Sequence, residues 1–511
     1  MVFVITRFVS SSIYNKGNEE MTANMQQASL PLVHIMSKGI PYNYLHGLKQ
    51  EMDGSFFRDT ITPLGEGRTL DFVIDKYGNE IHQISFEVRS IDGTRLVERT
   101  KVSNYRETKD NIRTTVTIKD LIESGTEYNW ILMLETKTGT IRYYTRIIDG
   151  ENYNISEKLR YVKSFHDKTF DKERVSDLAT YLESNYKGDN TTLNYVNIHS
   201  SLKQVAWADL NIKKITEPCI TVSEMEAQTA SIRMSYRVQT IEGKNKYQYN
   251  IVEFFRIRHT PDRTYLLDYE RTMNQIFDPE GDVYGGNKIM LGIRDSNVQM
   301  IESDGGSNLA FVNENQLFCY HAADKKIACL FSFYEDGDPR SNYDNHAIKI
   351  LNVDETGNVT FAVYGYMNRG SHEGTIGIQV YGYNGMLNTI EEMIFIPYNK
   401  SYLTLKTDME QLCYINKNEI FFIYLDGSIL AVNLSERSYD VIAENLQQGS
   451  FQVSGTDKML VWQNSADAYN CTKLILMNLN TGNTQEIPTD GQNRLLPLGF
   501  INEDLIYGVA R

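Results

Sequence analysis

"EIFFIYLDGSILAVNLSERSYDVI", residues 419–442, is an apolar strand, a tight polar turn and a second strand. The same order recurs in "QLFCYHAADKKIACLFSF" (316–333) and "KLILMNLNTGNTQEI" (473–487). "VNENQLFCY" (312–320), "INKNEIFFIY" (415–424) and "INEDLIYGV" (501–509) share an Asn/Glu turn that leads into an apolar strand. These marks divide the C-terminal part into units at 288–334, 346–397, 403–446, 449–488 and an incomplete one from 495.

Units of about 40–50 residues with four short strands each predict the blades of a β-propeller. "LILMNLNTGNTQEI" is similar to the outer hairpin of quinoprotein-like and WD-type propellers, although the His and Trp-Asp marks of the strict WD type are missing. Residues 212–277, with "SIRMSYRVQ", "YNIVEFFRIRH" and "TYLLDYERTMNQIF", fit a wider first blade. A half blade at the end exposes strand edges. It predicts further strands beyond Arg511, unless N-terminal strands complete the ring.

Upstream, residues 65–150 place apolar residues at every second position in "RTLDFVID", "ISFEVRSIDGTRLVERTKV", "IRTTVTI" and "YNWILMLETKTGTIRYYTRII". Half-buried strands require that period, and the DG and TKTG turns are hairpin chemistry, so a small antiparallel sandwich is predicted. "DLIESGTEYNWILML" (120–134) resembles the tyrosine-corner segment of fibronectin type III and Ig-like domains. The resemblance implies that Tyr128, after Leu121 or Ile122, bonds its hydroxyl back to nearby backbone, with Trp130 and Leu132 facing the core. Residues 29–64 hold short apolar runs, "LPLVHIM" and "DTITPL", read as a separate N-terminal β segment. Residues 151–211 change period and form a helical connector: one helix in "ISEKLRYVKSFHDKTF" (155–170), a second from Asp171 to near Gly188, and a short third in "SSLKQVAWADL". The fold class is therefore mainly β, a sandwich plus a propeller joined by short helices.

With 511 residues, 41% hydrophobic and 23% charged, the chain is globular and long enough for several cores. Its 10 prolines and 33 tyrosines suit strands. A net charge of -15 without a basic cluster argues against nucleic acid. Five scattered cysteines form no C-x-x-C and no disulfide framework, which points to a bacterial protein with unpaired, buried thiols. In the opening "MVFVITRFVSSSIYNKGNEE" the apolar run "MVFVI" is too short to span a bilayer. Its apolar–Arg–polar order predicts a stalk over 1–28 after an upstream membrane anchor, the alternative being a first strand of a cytosolic protein.

No G-x-S-x-G, H-E-x-x-H, Walker loop or dinucleotide fingerprint occurs, and no cofactor or metal is expected. Two acidic loops, "YEDGDPRSNYDN" (334–345; Glu335, Asp336, Asp338, Asp344) and "DPEGDVYGGN" (278–287; Asp278, Glu280, Asp282), do not have both the sixth-position Gly and the twelfth-position Glu of an EF-hand loop and read as solvated connections. The candidate site is "AVYGYMNRGSHEGTIGIQVYGYNG" (362–385), two Tyr-Gly-Tyr strands around a loop rich in polar groups. Tyr366, Arg369, His372, Glu373 and Tyr381 are its candidate binding residues, because tyrosine and arginine offer large contact area with polar tips. The other reading is a soluble hairpin tip. The expected function is non-enzymatic extracytoplasmic binding at a propeller rim, of a protein before a glycan, on the outer side of a bacterial cell membrane. The alternatives are a propeller-containing hydrolase or lyase whose catalytic part lies beyond this chain, and a cytosolic scaffold.

Overall fold

The computed structural model describes residues 26–510, apart from 120, 151, 282, 286–287, 293–297, 466 and 468. In it the repeating hairpins close as their turn residues dictate. Asp426 and Gly427 take φ of 46° and 79°, and Glu314 and Asn315 take 45° and 56°. Left-handed pairs of this kind make two-residue turns whose twist matches the flanking strands. They set Leu425 opposite Ser428 and Asn313 opposite Gln316.

The repeats are four successive four-stranded antiparallel sheets. Blade 1 runs from Met300–Glu302 to Lys326–Phe331, and blade 2 from His346–Val353 to Thr389–Pro397. Blade 3 runs from Cys413–Ile415 to Ser438–Ala443, and blade 4 from Phe451–Val453 to Thr484–Pro488. A hairpin, Arg494–Ile501 with Asp504–Ala510, follows. An apolar layer joins each sheet to the next. Leu317 and Phe331 of blade 1 meet Ile348 and Phe361 of blade 2. Ile378 and Val380 of blade 2 meet Phe421 and Ile423 of blade 3. Phe422 and Ile429 lie against Leu460 and Trp462 of blade 4, whose Val461 and Leu474 meet Leu495 of the last hairpin. This is propeller-type stacking, in which both faces of a blade are buried and the outermost strands, such as Ser438–Ala443, face water.

The sandwich has ten strands in two five-stranded sheets. They are β1 (Leu32–Ser37), β2 (Ile40–Leu45), β3 (Ile61–Pro63), β4 (Thr69–Asp75), β5 (Ile81–Ser90), β6 (Leu96–Val102), β7 (Arg106–Glu107), β8 (Asn111–Thr117), β9 (Glu127–Thr136) and β10 (Gly139–Ile148). One sheet is ordered β2-β1-β4-β8-β7, the other β3-β10-β9-β5-β6. Residues 29–64 are therefore not a separate segment. β1 pairs with β4, and β3 lies parallel to β10, so each sheet gains strands it would otherwise lack. Between the sheets, fully buried Trp130 meets Phe72 edge-on at 5.4 Å. Tyr128 is 2% exposed, and its hydroxyl accepts a 3.1 Å bond from the Glu123 backbone N–H. Tyr128→Phe is expected to lower stability by about 1 kcal/mol, measured by chemical denaturation of the whole chain; an unchanged midpoint refutes it.

In the connector, α1 (Ile155–Thr169) buries Leu159, Val162 and Phe165 along one stripe. The expected second helix is only a 3-10 turn, Val175–Tyr181. It buries a single residue, Leu178, and Asp171 holds the preceding bend by accepting from the N–H groups of Glu173 and Arg174. Such a short segment with no apolar stripe does not sustain an α-helix. The third is a four-residue helix, α2 (Leu202–Val205).

Residues 195–275 form a six-stranded sheet: β11 (Tyr195–Asn197), β12 (Ile212–Lys214), β13 (Cys219–Met225), β14 (Thr229–Glu242), β15 (Asn245–His259) and β16 (Thr264–Gln275). It differs from a plain first blade. Its Ile232, Met234, Phe255 and Ile257 share one continuous core with α1 and the sandwich. The sandwich also abuts blade 2: Ile131 of β9 and Tyr144 of β10, on the face opposite Trp130, pack with Tyr364, Tyr366 and Ile378.

Candidate functional site

The loop singled out in the sequence, 367–374, is where blade 2 meets the sandwich. Glu373 is 3% exposed and accepts from Ser29 N at 2.7 Å, Ser29 Oγ at 2.5 Å and Leu30 N at 3.0 Å. The Tyr366 hydroxyl donates to the Gly47 carbonyl at 2.9 Å, and Lys49 N donates to the Gly374 carbonyl at 2.8 Å. Arg369 pairs with Glu335. His372 stacks on Phe395 at 3.9 Å, and burial lowers its pKa. Tyr381 stacks on Phe361 at 5.2 Å inside the layer between blades 1 and 2. The five candidate residues therefore do not project together from a rim. Four serve a clamp between domains or sit beside it, and Tyr381 belongs to a blade core.

The acidic connector 334–345 is also not a solvated loop. Asp338 caps a short 3-10 helix, Pro339–Asn342, and forks onto Arg340 at 2.7–3.0 Å. Arg340 is buried and donates to the Leu30 carbonyl at 3.0 Å. Asp344 accepts from Asn315 at 2.6 Å. Each carboxylate is thus held by its own partner, and among the described residues none converge on a cation position. In the 278–287 loop, Asp278 accepts from Glu280 N at 3.0 Å, and Asp282 lies outside the described residues.

This connector forms one wall of a cavity of about 500 Å³ at the junction of sandwich, six-stranded sheet and blade 2. The sandwich contributes Tyr44, His46, Phe57, Arg58, Asp59 and Tyr144. The sheet contributes Cys219, Thr221, Ser223, Arg233, Ser235 and Phe254, and the blade side Asn342, Tyr343, Asp344 and Tyr366. His46 stacks on Tyr343 at 3.9 Å, and burial pushes its pKa down to about 3, so the ring is neutral. Asp59 is accessible in the cavity yet surrounded by protein, and this desolvation raises its pKa despite nearby Asn345, Arg146 and Arg233. The same cause raises the Cys219 thiol. Accessible polar groups framed by aromatic rings suit the capture of a small ligand. One signal for this site was present in the sequence. In "SIRMSYRVQ" the polar residues Ser231, Arg233, Ser235 and Arg237 share one parity of a strand whose other parity is apolar. The pairing of that face with Asp59 and Tyr343 arises only in three dimensions.

No protein-family model matches the chain, and curated protein sequences give no match. Solved structures do. TolB from Acinetobacter baumannii is 7% identical, with 72% of this chain and 78% of that one covered at a TM-score of 0.22. The tricorn protease is 10% identical, with 86% and 36% covered at 0.23. The extracellular domain of a one-component system from B. thetaiotaomicron is 13% identical, with 59% and 40% covered at 0.21. The chain thus spans about a third of the tricorn protease's length. The fold described above rests on the strand pairings and blade layers themselves.

Proposed function

We propose that the chain is a non-enzymatic binding protein that takes a small polar ligand into the junction cavity. One observation carries this: a 500 Å³ space whose wall is shared by three structural units and into which Asp59 remains accessible. Cavities of this volume with a few placed polar groups are typical of ligand sites. Ser235 on β14 lines the space, so Ser235→Phe fills it from a rigid strand. In a thermal-shift screen of water-soluble metabolites, wild type is expected to be stabilised by ligands that leave Ser235→Phe unmoved. A screen in which every hit shifts both proteins equally refutes the reading.

An extracytoplasmic bacterial setting and a protein partner, ahead of a glycan, are further parts of the proposal and rest on the sequence alone. Among the described residues no helix is long and apolar enough to cross a membrane. Protease accessibility of the tagged protein in intact cells, compared with lysed cells, tests the setting.

A further inference from the structure

The charges around the junction cavity are balanced and incompletely used. Its lining carries two carboxylates, Asp59 and Asp344, and two guanidinium groups, Arg58 and Arg233, while His46 is neutral. Asp344 accepts a 2.6 Å bond from Asn315 and lies 3.4 Å from His346 Nδ1. Arg58 reaches the Ser55 carbonyl at 3.4 Å. Among the described residues Asp59 receives one long bond, from Asn345 at 3.4 Å, which leaves most of its acceptor capacity open there.

Two cations act on Asp59 through space, Arg146 and Arg233. Arg146 is committed: it binds Glu127 at 3.0 Å and the carbonyls of Thr60, Arg58 and Ser223. Arg233 stands on β14 opposite Thr221, is exposed, and makes no hydrogen bond or ion pair among the described residues. A free guanidinium and an open carboxylate therefore face one cavity within electrostatic range, without closing on each other. A ligand with a single charge pairs with only one of them and leaves the like-charged neighbour unmatched or repelling. A ligand with both charges satisfies both. Phe57, Tyr144, Phe254 and Tyr343 supply apolar surface for the rest of it.

We propose, on the basis of the binding role above, that the ligand is a small zwitterion with an apolar side group, a free α-amino acid or a dipeptide. Its ammonium sits on Asp59 and its carboxylate on Arg233. Guanidinium suits the second task because its planar fork binds a carboxylate through two parallel bonds.

The test is calorimetric titration of the whole chain with L-phenylalanine, the dipeptide Phe-Gly, L-phenylalaninamide and N-acetyl-L-phenylalanine. At least one of the two zwitterions is expected to bind, and each blocked compound to bind roughly tenfold weaker or worse. The stronger zwitterion tells amino acid from dipeptide. Asp59→Asn should erase the discrimination against the acetylated compound, and Arg233→Gln that against the amide, each leaving the other discrimination in place. Both surface-accessible substitutions should leave the melting temperature nearly unchanged. Blocked compounds that bind as tightly as the zwitterions overturn the proposal, and so does failure of both zwitterions. If neutral p-cresol still binds wild type and not Ser235→Phe, the cavity reading survives and only the zwitterion falls.

Discussion

Glu253→Gln is expected to cost about 3–5 kcal/mol, because it removes one partner from a fully buried charge network. Glu253 on β15 is completely buried and stands in register with Arg271 on β16. Its carboxylate lies 2.6 Å from His166 Nδ1 and accepts 2.9 Å from the Tyr269 hydroxyl. Arg271 donates to the carbonyls of Val205 and Gln204 and lies 3.5 Å over the Trp207 ring. The network therefore ties α1, α2 and the sheet together. Burial alone would raise the Glu253 pKa, but His166, Arg271 and Tyr269 outweigh it and the net direction is down. A carboxyl held below its unfolded value contributes stability that is present above that value, near pH 4, and is lost as pH falls through the folded one. Urea midpoints of wild type should therefore drop on acidification below about pH 4, with a flatter acid limb for Glu253→Gln. Replacing Arg271 by Met as well should recover part of the loss. A single-mutant cost under about 1 kcal/mol would show that the network tolerates an unpaired charge.

Glu373→Ala should be the second largest change, at about 3 kcal/mol, since three bonds to one buried carboxylate are lost together. The carboxylate is the only part of the 367–374 loop that binds both backbone N–H groups at Ser29 and Leu30, among the described residues. Hydrogen exchange should show those two amides, and their neighbours entering β1, losing protection before blades 3 and 4 do. Arg369→Ala should cost less, because its Glu335 partner is partly solvated. An ordinary hairpin tip would lose under about 0.5 kcal/mol from Glu373→Ala, and that result would dissolve the clamp.

The 367–374 loop shows why sequence reading finds an unusual stretch more easily than its role. Arg369, His372 and Glu373 are the residues a recognition loop would carry, and they are equally those of a polar joint inside one protein. What distinguishes the two is the partner, and Glu373's partner lies 344 positions away. β9 shows the same limit on a smaller scale. "YNWILMLE" is apolar at both parities, which marks a strand buried on both faces. Trp130, Leu132 and Leu134 fill the sandwich, while Ile131 meets blade 2, a surface that periodicity cannot name.

The blade units, their hairpin turns and the alternating sandwich strands were determined by the sequence itself. Each depends on interactions within a few residues: side-chain parity, and turn pairs such as Asp426-Gly427 whose backbone preference is local. Tertiary structure alone decided that β1 and β3 belong to the sandwich, that the six-stranded sheet joins its core, and that Asp59, Arg233 and Tyr343 face one cavity. Those outcomes depend on which apolar faces cover each other. The faces described above are all built of aliphatic and aromatic side chains, so the choice is made by the summed packing of distant segments and by buried polar bonds, Glu373 to Leu30 among them.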